Sequence, residues 1–305
     1  MSRILVTGAA GFIGSNLTER LVKDGHEVTA LDNMHTGSES NVESVKGKVR
    51  FVKGRAGDIS SLKERFDAIF HNGTYSSTPM YKENPHLVAQ VMDDWISILE
   101  YAKANGTRIV WASTSSVYNG QEPPHRENMD VKITDFYTEA RYAMERMAEL
   151  YYKLYGVQSI GLRYFSVYGP HEKSKGKYAN LISQFLWAMQ KGEQPVVYGD
   201  GSQTRDFTYV DDIVEANMLA MKSKMKFGIY NVGTGKSITI NEMMVLLGEK
   251  LGKDIKPKYI ENKIQNYVQH TLADTGKAEK ELGFKAKVSL ELGIEKIITY
   301  YSSLQ

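Results

Sequence analysis

Along the first half of the chain, short runs of apolar and β-branched residues alternate with longer stretches whose apolar positions recur at helical spacing. The short runs fall at 4–7, 27–31, 50–53, 68–71, 108–112 and 159–163 and read as strands. The longer stretches at 12–24, 87–104 and 138–155 read as helices. Each stops near a glycine (Gly25, Gly106, Gly156), the residue that helix C-termini favour. Such alternation predicts an α/β fold on a doubly wound parallel (Rossmann) sheet. Beyond about residue 170 the order loosens. Helical patterns at 178–191, 213–223, 240–251 and 290–301 are separated by glycine- and proline-punctuated loops and short strands. We expect a larger domain over 1–168 and a smaller mixed α/β lobe over 169–305, with some chain crossing between them. No repeat, low-complexity stretch or linker interrupts the sequence.

Composition narrows the possibilities. A chain of 305 residues can bury one large core plus a smaller one. With 24% charged residues and a net charge of +2, it carries no electrostatic footprint for nucleic acid. No segment approaches the ~18 uninterrupted apolar residues of a membrane span. There is no cysteine, which removes disulfides and thiolate chemistry together. The seven histidines never cluster at metal-ligand spacing, so no metal is expected. The first residues run directly into a strand pattern without an apolar leader. A soluble, cytoplasmic protein is expected.

The first chemical signal is Gly8-Ala9-Ala10-Gly11-Phe12-Ile13-Gly14, between the first strand and the first helix. Glycine here permits a tight turn, lets the backbone approach a pyrophosphate, and allows close helix–strand packing. The phosphates then sit at the positive helix N-terminus. Asp32 ends the next strand at the distance expected of a carboxylate that holds ribose hydroxyls. That charge repels a 2′-phosphate, so NAD is the expected cofactor, with Asn33 beside it. Asp58 and Ile59, after the third strand, are candidates for the adenine end, although Asp58 reads equally well as a helix cap. His71 is expected to be structural.

Further along, the motifs resemble a known family. Trp111-Ala112-Ser113-Thr114-Ser115-Ser116-Val117-Tyr118 is similar to the "SSSSVYG" segment of extended short-chain dehydrogenases/reductases. Tyr137-Thr138-Glu139-Ala140-Arg141 is similar to their YxxxK, and 162–170 resembles "LRYFNVYGP". The segment 199–207 resembles "GDGxQxRDF". The resemblance covers nearly the whole chain and points to the nucleotide-sugar epimerase/dehydratase branch. It implies Tyr137 as base and Thr114, with Ser115 beside it, as the hydroxyl that orients the substrate. It implies Arg141 in the lysine's place, gripping the nicotinamide ribose. Ser77, Ser166, Asn180, Tyr198 and Arg205 fall at positions that contact the nucleotide sugar, Arg205 suiting a diphosphate. The helix over 142–155 is one through which the family often pairs, so a homodimer is expected.

The chemistry agrees. Oxidising a sugar hydroxyl needs a base, and a phenol serves when a nearby cation stabilises its anion. Tyr137 and Arg141 are four apart on a helical pattern, hence on one face. Three positions depart from the family: Arg141 for lysine, Ser166 for asparagine, and Ile264 for a frequent arginine, which leaves Arg205 to be helped by Lys263. Dehydratases place Asp-Glu after the catalytic hydroxyl residue, where this chain has Ser115 and Ser116. The expected activity is therefore C4 epimerisation of a UDP-sugar through a transient 4-keto sugar. A nucleotide-sugar 4-dehydrogenase (heptose nucleotides included), a 4,6-dehydratase, and a binder of NAD and a nucleotide sugar that has lost turnover are the alternatives. Asp211, Asp212 and Asp274 read as helix N-caps.

Overall fold

The computed structural model describes residues 1–264 and 266–304. Its first half contains β1 (Arg3–Thr7), α1 (Phe12–Lys23), β2 (Glu27–Asp32), β3 (Arg50–Lys53), β4 (Ala68–His71), α2 (Thr78–Glu83), α3 (Leu87–Asn105), β5 (Arg108–Thr114), α4 (Phe136–Tyr155) and β6 (Ser159–Tyr164). The second half adds β7 (Val167–Tyr168), α5 (Leu181–Gln190), β8 (Val196–Tyr198), β9 (Thr204–Arg205), β10 (Thr208–Tyr209), α6 (Val210–Lys222), β11 (Phe227–Val232), β12 (Ile238–Thr239), α7 (Ile240–Leu251), β13 (Lys258–Ile260), α8 (Gly276–Leu282) and α9 (Leu290–Ser302).

Seven strands form one parallel sheet in the order β3–β2–β1–β4–β5–β6–β11. Strands β1, β4 and β6 are buried along nearly their whole length, as continuous apolar runs covered on both faces must be. Leu17 and Leu21 of α1 and Ile213, Ala216 and Met218 of α6 cover one face. Trp95, Ile98 and Leu99 of α3, with Met144 and Ala148 of α4, cover the other. A third apolar cluster joins Phe185, Met243, Ile294 and Ile297 in the later part of the chain, with Phe12 and Val210 at its border.

The chain winds outward from β1 to β3 and then returns to β4 on the other side of β1. The carboxyl ends of β1 and β4 thus diverge, which opens a crevice where dinucleotides bind in such sheets. Strand β11 was not among the runs singled out in the sequence. It carries tyrosine, asparagine and glycine, and becomes a strand because β6 offers it a parallel edge from Ser159 to Tyr164.

Several local readings change. The pattern at 178–191 splits into a 3₁₀ segment, Glu172–Tyr178, and α5, with Asn180 as the cap between them. Helix α6 starts at Val210, so Asp211 and Asp212 lie in its first turn and neither is the cap. Asp212 instead accepts the Lys287 and Val288 amides at 2.9 and 3.0 Å, and Asp211 pairs with Lys296 at 2.7 Å. The α8 cap is Thr275, while Asp274 accepts from Gly276 N and Arg126 Nε. Each carboxylate has found a tertiary donor that sequence spacing does not reveal. Among the described residues no helix is long and apolar enough to cross a membrane, and no group of three His, Asp or Glu is placed to hold a metal.

Candidate active site

The glycine turn is packed against the β4 exit. Gly8 has φ +69°, and a Cβ there would come within 2.7 Å of the Asn72 carbonyl carbon and the Gly73 nitrogen. A Cβ on Gly14 would overlap the Gly8 carbonyl oxygen, so α1 can approach β1 only with glycine. Asp32 is buried at the end of β2, where its two carboxylate oxygens accept the Ala10 amide at 2.9 Å and the Met34 amide at 2.7 Å. Burial raises its carboxyl above the ordinary value, and these amides oppose the shift. Gly8, Gly11, Phe12, Ile13, Gly14, Asp32 and Asn33 all line one cavity of about 380 Å³.

Across that cavity stand Thr114, Tyr137 and Arg141. Asp135 caps α4 by accepting Thr138 N at 2.9 Å, which sets Tyr137 in the first turn facing the cleft. Thr114 ends β5 and accepts the Ser116 amide at 3.1 Å. Arg141 is 3% exposed. Its Nη2 donates to Tyr75 O at 2.8 Å and its Nη1 to Ala112 O at 3.4 Å. No carboxylate pairs with it among the described residues. The cation therefore braces two backbone segments of the cleft wall, a role that planar, multiple donors suit better than an ammonium.

A second cavity, of about 450 Å³, meets the first at Thr78, Ser115, Ser116 and Ser166. Ser166 holds φ +28°, a conformation uncommon for a non-glycine residue. Arg205 lines the second cavity and is almost wholly buried. It donates to the Thr204, Val268 and Gln269 carbonyls at 2.8, 2.6 and 3.1 Å, and burial lowers its guanidinium below the ordinary value. It does not pair with Asp206, whose carboxylate instead gathers the amides of Thr234, Gly235 and Ala273.

Ser77 and Asn180 line the first cavity. Ser77 Oγ and Asn72 Nδ2 are buried without a partner in the described protein, though both residues face this cavity. Buried polar atoms are rarely left unmatched, so a polar ligand fits here. Four residues expected at the site line neither cavity. Asp58 turns its carboxylate to Arg55 N at 2.7 Å, capping a 3₁₀ turn, and Ile59 is sealed in the core beside Trp95. Tyr198 is 37% exposed on β8 and lines neither cavity. Lys263 is 80% exposed and pairs with Glu261, so it does not assist Arg205. His71 is structural, as its pattern implied: fully buried, stacked on Trp95 at 5.4 Å and bonded to Thr7 Oγ1 at 2.8 Å.

Sequence reasoning gave no site role to Asp94 or Lys175, both on the first cavity. Asp94 could have been found, because it is a carboxylate on the apolar stripe of α3, beside Val91 and Trp95. It accepts Arg55 Nη2 at 2.9 Å and Gly57 N at 3.0 Å.

A doubly wound sheet, a glycine turn with an acidic β2 terminus, and a tyrosine and cation one helical turn apart define a dinucleotide-dependent enzyme of the short-chain dehydrogenase/reductase type. The model of the NAD dependent epimerase/dehydratase family matches residues 4–233, and the chain belongs to that family. A putative UDP-glucose 4-epimerase of Methanocaldococcus jannaschii is 33% identical, over 97% of this chain and 97% of that protein. A UDP-N-acetyl-alpha-D-glucosaminuronate decarboxylase of Bacillus cytotoxicus is 32% identical, over 99% of this chain and 98% of that protein. The solved structure of a UDP-N-acetylglucosamine 4-epimerase from Methanobrevibacter ruminantium, in complex with UDP-N-acetylmuramic acid, matches with a TM-score of 0.94 at 29% identity, covering 100% of this chain and 99% of that one.

Proposed function

We propose that this protein is an NAD-dependent 4-epimerase of a UDP-sugar. The observation that carries the reading is the placement of Thr114, Tyr137 and Arg141 on one cavity with the Gly8–Gly14 turn and Asp32, with no uncommitted carboxylic acid among the described residues at the junction with the second cavity. The glycine turn and the α1 N-terminus would hold the cofactor's diphosphate, and Asp32 its adenosine ribose. The bound nicotinamide supplies a reversible two-electron acceptor.

The residues of the chain do the rest. Tyr137 removes the proton of the C4 hydroxyl, and Thr114 holds the same oxygen in place. While the Tyr137 oxygen lacks a proton, the guanidinium of Arg141 compensates its charge. Tyr137 then returns the proton once C4 is reduced. Arg205 faces the second cavity, where a nucleoside diphosphate's phosphates would lie, and Ser77 and Asn180 would contact the sugar nucleotide from the first. Inversion requires the sugar to present both faces to one nicotinamide. The small side chains of Ser115, Ser116 and Ser166 leave room for that turn. Asp135, the acid that lines the second cavity, is bound to Thr138 through both carboxylate oxygens and is not placed to drive elimination of water.

In this reading, residues 1–168 with α6 and β11 carry the cofactor, and the remainder of 169–305 carries the nucleotide sugar. The lack of cysteine accords with a cytoplasmic setting. A second copy of the chain is the proposed partner of the face formed by α3 and α4, where Ile96, Leu150, Leu154 and Tyr155 are 39–66% exposed. Leu154→Glu should then convert a dimer into a monomer in sedimentation velocity; an unmodified protein that sediments as a monomer removes the dimer.

The deciding experiment incubates the purified protein with UDP-, GDP-, ADP- and dTDP-sugars and reads product mass and chromatographic mobility. A product of changed mobility and unchanged mass, without stoichiometric build-up of reduced cofactor, supports epimerisation. Loss of two hydrogens means a dehydrogenase, loss of water a dehydratase and loss of carbon dioxide a decarboxylase. Binding without conversion means a binder.

A further inference from the structure

The segment from Pro170 to Ala179 lines the first cavity through Lys175, Tyr178 and Ala179 and is tied to the glycine turn. Asn41 does most of the tying: its Nδ2 lies 2.9 Å from Ala10 O, 3.1 Å from His171 O and 3.3 Å from Ser174 Oγ. Two α1 side chains add to the bond set. Ser15 Oγ meets His171 Nδ1 at 2.9 Å, and Asn16 Nδ2 donates to Pro170 O at 3.2 Å. The segment is thus docked beside the glycine turn by side chains of α1 and of the 3₁₀ segment Glu39–Val45.

At its centre Glu172 is fully buried. Its carboxylate accepts Asn180 N at 2.7 Å, Ser183 Oγ at 2.6 Å and Lys175 Nζ at 3.4 Å. The Lys175 side chain is only 15% exposed, and its Nζ lies 5.6 Å from the centroid of the Phe12 ring. Phe12 is the first residue of α1 and, like Lys175, lines the first cavity, so the ammonium belongs to the same cavity wall as the helix start at which the cofactor's diphosphate is expected.

Charge decides what that ammonium can serve. The first cavity is lined by the carboxylates Asp32 and Asp94 and, among the described residues, by one lysine, one arginine and one histidine. Arg141 has turned its terminal nitrogens to backbone carbonyls. A diphosphate carries about two negative charges, more than one helix terminus of roughly half a charge offsets. We propose that Lys175 is a ligand of the cofactor's diphosphate, held ready by Glu172, and that the 170–179 segment is a strap which couples cofactor binding to Asn180 in the nucleotide-sugar site. This rests on the NAD reading given above.

The test measures dissociation constants by calorimetry for NAD, for ADP-ribose, which keeps the diphosphate, and for adenosine, which lacks it. Lys175→Met should weaken NAD and ADP-ribose about tenfold, the loss of one charge-assisted contact, and leave adenosine unchanged. Lys175→Arg should stay close to the unmodified protein. The dependence of NAD affinity on salt should be shallower in Lys175→Met. If Lys175→Met loses turnover but keeps NAD and ADP-ribose affinity, the ammonium serves the sugar and the proposal fails. Equal weakening of adenosine makes the strap a structural prop and also defeats it. An unmodified protein that binds none of the three overturns the cofactor reading along with the proposal, an outcome distinct from the other two.

Discussion

The guanidinium carbon of Arg141 lies 5.3 Å from the centroid of the Tyr137 ring, one turn along α4. The same side chain is nearly sealed from solvent and bonded to Tyr75 and Ala112 carbonyls. Position 141 therefore joins an electrostatic task to an architectural one, and variants should separate the two. Tyr137→Phe should lose at least ~100-fold in turnover, as removal of a general base does. Arg141→Lys keeps the charge but cannot span both carbonyls; turnover should fall by no more than about tenfold while the thermal midpoint drops. Arg141→Met should lose both. Steady-state kinetics beside thermal melts decide it: full turnover in Tyr137→Phe would remove Tyr137 as the base.

Asp32 is expected to choose the cofactor. Its carboxylate is held by the Ala10 and Met34 amides, and a Cβ on Gly37 would come within 3.0 Å of it, so glycine there leaves the carboxylate open to the cavity that both residues line. A 2′-phosphate placed there meets a buried negative charge. The unmodified protein should bind NAD far more tightly than NADP, and Asp32→Ala should narrow the gap chiefly by weakening NAD. Tighter binding of NADP to the unmodified protein would contradict the assignment.

Arg205 spends three hydrogen bonds on the carbonyls of 204, 268 and 269, so its replacement touches both the second cavity and the loop that lines it. Arg205→Ala should raise the substrate KM by roughly 30-fold, about 2 kcal/mol for a lost charge-assisted contact, and leave NAD affinity unchanged. Equal damage to both ligands would mark Arg205 as a structural residue only.

His71 gives a pH prediction. Burial, with the Arg141 charge nearby, lowers its imidazole from the ordinary 6.5 to about 3. The ring is neutral in the native state but takes up a proton on unfolding below pH 6.5. Its contribution to stability is present above 6.5 and is lost as pH falls toward 3, at about 1.4 kcal/mol per unit. His71→Gln removes this term. Between pH ~7 and ~5 the thermal midpoint of the unmodified protein should therefore fall more steeply than that of the variant. Parallel curves would show that the ring is not held neutral.

The cofactor half of the site was legible in the sequence because its chemistry is local. Gly8, Gly11 and Gly14 act within one turn, and Asp32 ends the next strand in register with them. Tyr137 and Arg141 share a helix face by spacing alone. Asp94 was harder to see because the helical pattern of α3 accounts for its surroundings, and Lys175 because its stretch carries no periodic pattern at all. Asp58 and Tyr198 show the converse: they sit at plausible positions, but the side chains turn to a cap and to solvent.

What the sequence determined by itself was the alternation that forces a parallel sheet, the glycine turn, and the pairing of a phenol with a cation one turn away. Backbone geometry and helical periodicity settle these within a few residues. Tertiary structure alone decided that Arg141 braces Tyr75 and Ala112, that Arg205 turns from Asp206 to three carbonyls, that β11 closes the sheet, and that Asn41 ties the 170–179 strap to the glycine turn. Each of these is a choice between donors and acceptors far apart in the chain. A buried polar group takes the partner that packing brings within 3 Å or so, whatever its neighbour in sequence offers.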